Sequence, residues 1–423
     1  MQYFGEDSFM RFSRLIWLIL GASVLLAQPA ESPSRRVFPK ETGSEGFGVW
    51  HANPPLWTRG RYLATPKTTT TGEPYVSPSQ MISIYGVSAA ATVPSTATPT
   101  LAIVDAYDSP GAEADLGVFS AKYALPPCTT ANGCFSKVNQ TGGKGVPRRN
   151  EGWESEINLD TQWAHALAPY AKILLVEANS SSDADLFAAV NYARQHASVV
   201  SMSWSGPEWQ GQGYYDTSVF KQTGVTFLAA SGDNDAAVGY PASSANVIAV
   251  GGTSFATDYE GNVVLPVTET GWSDEYGGSG GGCSAYTAQP AFQKSWVPPS
   301  CKMRGIPDVA MDADPSSGVL VYISRQGGWW IYGGTSMACP MFAAIIADVN
   351  GYRASTGSKS TVSPPLSTAL ADLYAAAYAN YGMYFNDIKS GGYPFVAGPK
   401  WDFVTGLGSP KANALMQDLN TAK

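Results

Sequence analysis

Histidine is scarce in this chain, with only His51, His165 and His196 in 423 residues, so a reaction that relies on imidazole to move a proton has three places to look. No C-x-x-C pair occurs, which leaves a zinc or thiol-redox site without its usual spacing. Charge is sparse: Asp, Glu, Lys and Arg make up 14% of the residues, the net charge is -8 and the pI is near 5.0. That balance lacks the basic patch a nucleic-acid partner requires, and it suits an acidic, extracellular setting. Long apolar runs are missing too, since a bilayer-spanning helix needs roughly 20 apolar residues. The run LIWLILGASVLLA at 15–27, preceded by Arg11 and Arg14, has the length and small-residue end of a secretion signal. Residues 1–27 are therefore expected to be a signal peptide, leaving a secreted chain with no stable membrane association.

The apolar content of 44% over this length is enough to bury a full core. Five cysteines in an exported chain suggest two disulfides and one thiol left over. Cys128 and Cys134 flank the turn TTANG and could close a small loop; Cys283 and Cys301 could close a second. Cys339 is expected to be a buried free thiol. Residues 28–75 are rich in Pro, Thr, Ser and Gly and read as a flexible N-terminal arm or short propeptide without a core of its own. Residues 76–423 read as one domain. From about residue 100 the strands TLAIVDAY, AKILLVEA, SVVSMSW, VTFLAASG and NVIAVGG appear, the first two each followed by a helical segment. This predicts an α/β fold of three layers, a mostly parallel central sheet with helices on both faces. Ligands in such folds sit beyond the carboxyl ends of the strands, so the loops DSPG, SGPEW and GDNDA are where polar chemistry is expected.

Ser336 lies in YGGTSMACP, a Gly-Gly-Thr-Ser turn directly before the apolar run MFAAIIADV. That is the setting of an exposed nucleophile, and a serine hydroxyl needs a neighbouring base. The segment ESEINLDTQWAHALAP, 154–169, has helical periodicity and stops at Pro169. At 100° per residue, Glu156, Leu159, Asp160 and Trp163 share one stripe, while Ser155, Asn158, Thr161, Gln162 and His165 fall on the other side. Two carboxylates on the apolar face interact, and one of them holds its proton to higher pH than a free side chain. Such a pair can relay protons in acid; the competing reading is that both acids ring a groove edge or pair with Arg148 and Arg149. His165, on the polar face, is expected to be solvated. His196 ends another helix and His51 lies in the arm.

These segments together resemble the sedolisin family, the serine-carboxyl peptidases, over roughly residues 75–415. The resemblance rests on ordered blocks: EINLD, VSMSW, FLAASGD, VGGTSF, GGGCS, IPDVAMDADP, GGTSMACP and WDFVTGLGSP. It implies a subtilisin-like fold and a secreted, acid-acting serine endopeptidase that cuts protein or peptide substrates through an acyl-enzyme, with the chain acting as a monomer. By the same resemblance Ser336 is the nucleophile, Glu156 the general base, Asp160 the acid that orients and tunes Glu156, and Asp233 the oxyanion residue. A protonated Asp233 can donate to a developing oxyanion, whereas an ionised one repels it. The resemblance further implies one structural calcium ion held by the carboxylates of Asp387 and Asp402 and the carbonyls of Ile388, Gly398 and Lys400, an all-oxygen set fit for a hard cation.

The chain departs from the family at three points. Asp235 stands where a glycine is common, Lys400 replaces a calcium-loop glycine, and only about 45 residues separate the signal from the catalytic domain, where many members carry a long prodomain. A subtilisin-like reading would use Asp105, in AIVDAY, with a histidine, which the helix geometry disfavours. Ser203, Trp204, Ser205 and Gly206 end a strand and are expected either to pair with a substrate backbone or, for Trp204, to lie in the core. Asp308, Asp312 and Asp314 are expected to cap loops rather than bind metal. The alternative functions are a catalytically silent binding protein of the same fold and a neutral subtilisin-like peptidase.

Overall fold

The computed structural model describes residues 35–36, 51–62, 74–87, 98–258, 262–356, 366 and 368–421. They belong to one compact unit, Ser34–Lys423. The expected signal segment and most of the expected arm lie outside the described residues. In chain order the elements that position the site are β1 (Trp57–Arg61), β2 (Thr100–Ala106), α1 (Ala112–Lys122), β3 (Phe135–Asn139), α2 (Glu151–Leu167), β4 (Lys172–Ala178), α3 (Asp183–His196), β5 (Val199–Met202), β6 (Thr226–Ala230), β7 (Val247–Phe255), β8 (Glu269–Gly271), β9 (Val309–Asp312), β10 (Val319–Ile323), β11 (Gly328–Gly333) and α4 (Thr335–Thr356).

The central sheet has eight strands in the order β8-β7-β6-β5-β2-β4-β3, with β9 also on β7. All its pairings are parallel except that of β8 with β7. The apolar runs of β2, β4 and β6 suit strands covered on both faces. Alternate residues divide as the period of two requires: Leu101 and Ile103 of β2 join the core that holds α2 and α4, while Ala102, Val104 and Ala106 join the core beneath α3. The expected α/β sandwich is therefore present. Both disulfides form, Cys128–Cys134 and Cys283–Cys301. Cys339 is a buried free thiol facing Ser201 Oγ at 3.4 Å, and burial pushes it up to about 12.

A part of the expected arm is built into the fold. Strand β1 pairs antiparallel with β11, which pairs with β10, and Ala52, Pro54, Pro55 and Leu56 are buried. The polar composition of 28–75 hides this, because the segment that packs is short and carries no period. Trp204 lies in the core and donates Nε1–H to Val104 O at 2.8 Å.

The segment before β9 is fixed by a fully buried ion pair. Arg304 donates to Asp308 through Nη1 at 2.6 Å and Nη2 at 2.5 Å. Asp308 also accepts from Tyr374 Oη at 2.8 Å and from Ala249 N at 2.8 Å. Of the other two aspartates in that run, Asp314 caps a 3-10 turn through Ser316 N at 2.7 Å and Asp312 accepts from Ser317 Oγ at 2.7 Å. Asp308→Ala strands the buried guanidinium and is expected to cost about 3–5 kcal/mol, read as a fall in urea unfolding free energy at neutral pH; a loss under about 1 kcal/mol would contradict the assignment.

Candidate active site

The turn that carries Ser336 is shaped by what approaches it. Gly334 has φ +117, and a Cβ there would collide with the Pro55 carbonyl oxygen and lie 2.7 Å from Asp233 Oδ2. Only glycine leaves room for both. Helix α4 then starts at Thr335, so the Ser336 N–H has no partner within the helix; it donates to Pro55 O at 3.3 Å. Four residues on, Pro340 has no N–H to give the Ser336 carbonyl. Ser203 Oγ stands 3.4 Å from that carbonyl and 3.0 Å from Asp160 Oδ1. The proline thus frees a carbonyl that Ser203 links to the acid on the neighbouring helix.

Helix α2 is capped by Asn150, whose side chain accepts from Gly152 N at 3.0 Å and Trp153 N at 3.1 Å. Every residue from Trp153 to Leu167 is buried, because α1, α4, β10 and the sheet close round it. The expectation that His165 is solvated is therefore wrong. Its Nε2 meets Pro126 O at 2.9 Å, and burial lowers its proton affinity. The other members of the polar side are satisfied inside the protein: Asn158 by Ser109 Oγ at 3.1 Å, Gln162 by Tyr322 O at 2.8 Å, Ser155 by Tyr332 Oη at 3.0 Å. Periodicity identified the helix and its stripes but could not reveal what covers the second stripe.

Glu156 and Asp160 sit one turn apart beneath Ser336. Neither Glu156 oxygen, nor Asp160 Oδ2, nor Ser336 Oγ makes a hydrogen bond in this arrangement; catalytic contacts of this kind tighten when substrate binds. Burial, then the charges of Asp160 and Asp105, hold the Glu156 proton well above the ordinary carboxylate range. Burial pushes Asp160 up to about 8, against the opposing pull of Ser203 and Glu156. Arg149 does not neutralise the pair: it bonds Glu154 through Nε at 2.9 Å. Asp105, the last residue but one of β2, lies directly beside Glu177 of β4. It is buried with no hydrogen bond at either oxygen, and burial, Asp160 and Glu177 raise its proton affinity strongly.

Asp233 follows β6. Its Oδ1 accepts from Thr335 N at 2.8 Å and Thr335 Oγ1 at 2.9 Å, and Oδ2 borders Gly334 on the side where the Pro55 carbonyl lies. Thr335, which holds Asp233 at this place, is a residue that sequence reasoning passed over, although its position beside Ser336 was visible. Asp235 takes φ +52, the left-handed conformation that explains a glycine there, and its carboxylate turns to Ser273 Oγ at 3.0 Å. His196 is exposed and stacks on Tyr192 at 4.0 Å, and His51 lies near Ser181 Oγ at 3.3 Å. Neither approaches Ser336 Oγ within hydrogen-bond distance.

The loop expected to hold calcium brings its two carboxylates round Tyr381. Asp387 Oδ1 accepts from Tyr381 Oη at 3.1 Å and Lys400 N at 2.6 Å; Asp402 accepts from the N–H groups of Gly398, Val404 and Thr405. Lys400 has φ +69 in its glycine position. The hard oxygen donors fit a calcium ion in kind, with the Lys389 ammonium, 3.2 Å from Asp387 Oδ2, as a competing positive charge.

The groove over Ser336 is filled by the chain itself. Ala52 N donates to Ser181 O at 2.8 Å, and Asn53 exchanges both bonds with Ser205, at 3.2 and 3.3 Å. This is the strand-edge pairing expected of Ser205, made by an internal segment.

Ser336 at a helix start, the buried acids Glu156 and Asp160 beneath it, and Asp233 beside Gly334 and Thr335 stand together as the sedolisin blocks read from the sequence lead one to expect. Residues 150–381 match the Subtilase family (peptidase S8). The chain is 35% identical to kumamolisin of Bacillus sp. strain MN-32 over 63% of its own length and 51% of that protein. It is 28% identical to sedolisin of Pseudomonas sp. strain 101, over 85% of its own length and 64% of that one. It also superposes on solved Pseudomonas sedolisin, a serine-carboxyl proteinase complexed with two molecules of pseudo-iodotyrostatin, with TM-score 0.63 and 27% identity, covering 82% of this chain and 98% of that one. The chain belongs to the sedolisin family. It spans half to two-thirds of the length of these two curated relatives.

The buried acids of this chain dictate a sign for stability. Asp105, Glu156 and Asp160 bind protons more tightly folded than unfolded, so above about pH 4 the folded chain carries more protons and loses stability as pH rises. Unfolding by urea is expected to need most denaturant near pH 4 and progressively less through pH 8. Asp105→Asn is expected to flatten that slope; an unchanged or steeper slope would remove Asp105 from the account.

Proposed function

We propose that this sedolisin is a secreted, acid-acting endopeptidase that cleaves protein and peptide substrates through an ester on Ser336. The observation that carries this reading is the juxtaposition of Ser336 with Glu156 and Asp160 in a buried site where, among the described residues, no histidine reaches Ser336 Oγ. Glu156 takes the Ser336 hydroxyl proton as Oγ attacks the substrate carbonyl carbon, and passes it to the leaving amine. Asp160, held by Ser203, shares protons with Glu156, so the pair acts with one proton between them. The Ser336 N–H and a protonated Asp233 Oδ2 face the developing oxyanion. Water then attacks the ester with Glu156 again as base. An ionised Asp233 would repel that oxyanion and a pair stripped of its one remaining proton would lose its acid, which supports action in acid over a neutral subtilisin-like reading. The complete set of four residues disfavours a silent binding protein. Two disulfides support export to an oxidising compartment, and among the described residues no helix is long and apolar enough to cross a membrane.

Asp387, Asp402 and the carbonyls of Ile388, Gly398 and Lys400 would hold one structural calcium ion, which would fix the loop that packs Trp401 near Tyr374 at 3.1 Å. Added calcium is expected to raise the melting temperature and a chelator to lower it, with Asp387→Asn/Asp402→Asn insensitive to both; equal response of the double variant would dismiss the site.

Hydrolysis of a mixed peptide pool from pH 2 to 9 tests the activity. It is expected to peak in acid, at a low absolute rate because the groove is covered, and to fall by at least about 10⁴-fold in Ser336→Ala and severely in Glu156→Gln. A neutral optimum that survives Glu156→Gln would sink the carboxylate base.

A further inference from the structure

The segment in the groove has a direction and a register. The carbonyl received by the Ser336 N–H is that of Pro55, so the bond presented for attack is Pro55–Leu56. Counting back, Pro54, Asn53 and Ala52 fill the second, third and fourth positions before it, and the paired bonds of Asn53 with Ser205 and of Ala52 with Ser181 hold them extended. Pro54, Pro55 and Leu56 are buried. Each residue before a proline is restricted to extended conformations, so Asn53 and Pro54 enter the groove already shaped, with little ordering entropy left to lose.

Beyond the bond, the chain does not leave. Leu56 N donates back to Pro54 O at 3.0 Å. Trp57–Arg61 then pairs with Gly328–Gly333, and Trp57 packs on Trp272 and Tyr276. Acylation here would form the Ser336 Oγ–Pro55 ester, break the Pro55–Leu56 C–N bond and send the serine proton through Glu156 to the Leu56 amine. That amine would remain anchored by its strand beside the ester, and because a tethered group acts at high effective concentration it would slow the net cut alike whatever residue stands at position 55. Proline at the cut position also supplies no N–H to align the carbonyl.

Resting on the peptidase reading, we propose that Ala52–Leu56 is an in-chain substrate mimic, kept intact by proline at position 55. The same groove then selects extended peptides with proline in the second position before the cut and a residue other than proline at the cut.

The test compares the full chain with Pro55→Ala in acid, following intact mass and new N-termini. Pro55→Ala is expected to be cut after residue 55 at least about tenfold faster than the unaltered chain, and Pro55→Ala/Ser336→Ala to stay whole. The opened chain is then offered Ala-Asn-Pro-Ala-Leu-Trp and Ala-Asn-Pro-Pro-Leu-Trp. The first is expected to be split after its fourth residue, and the second to compete without being split. Equal cutting of the unaltered chain, an uncut Pro55→Ala that still splits the first peptide, or splitting of the second peptide would overturn the mimic and leave the peptidase reading standing. Failure of every form to cut itself or any added peptide would overturn both.

Discussion

The burial of Glu156 and Asp160 beneath the start of α4 is the constraint from which the rest of the site follows. An isolated carboxylate in a low-dielectric interior is costly, and the group responds by keeping its proton. Helix α2 compounds the problem by being enclosed on every side, so each polar side chain along it must find a partner within the protein. Asn158, Gln162 and Ser155 do so through Ser109, Tyr322 and Tyr332. The two acids that face Ser336 are left without salt-bridge partners and with three unbonded oxygens between them. A fold that satisfies Ser155, Asn158 and Gln162 and leaves these atoms open places proton-binding capacity directly beneath Ser336.

Proline and glycine set the geometry of the opposing element. Gly334 admits the Pro55 carbonyl and the Asp233 carboxyl to the same small space, and Pro340 leaves the Ser336 carbonyl for Ser203. Ser203 thereby touches both helices, joining the orientation of the nucleophile's turn to that of Asp160. The free thiol of Cys339 lies on this same helix but is inert, since burial beside Ser201 holds its proton.

Much of this was legible in the chain. The strands of the central sheet announced themselves as short apolar runs, and Ser336, the acids Glu156 and Asp160, and Asp233 stood in ordered blocks. Asp235 and Lys400, two departures from glycine, both adopt left-handed backbone, as the positions they occupy require. What could not be read was anything decided by packing between distant segments. His165 belongs to the stripe a helical wheel marks as polar, yet α1 and the Pro126 carbonyl enclose it. The sequence Ala-Asn-Pro-Pro-Leu has no period and lies in a stretch dominated by Thr, Pro and Gly. Its place in the groove depends on the edges at Ser181 and Ser205, about 130 and 150 residues away.

The cover over Ser336 and the proton affinity of the acids below it are linked. Burial is the first cause of the raised affinity of Glu156 and Asp160, and the buried Pro54–Leu56 lies over the Ser336 turn with the Pro55 carbonyl on the Ser336 N–H. Displacing the segment readmits water, which favours the ionised acids; by reciprocity, ionising the acids favours displacement. The sign has a consequence for regulation. Lowering the pH loads protons onto the pair, so acid by itself does not displace the cover. On the other side of the bond the cover is held by the pairing of β1 with β11, so displacing it requires that pairing to break or the chain between to be severed.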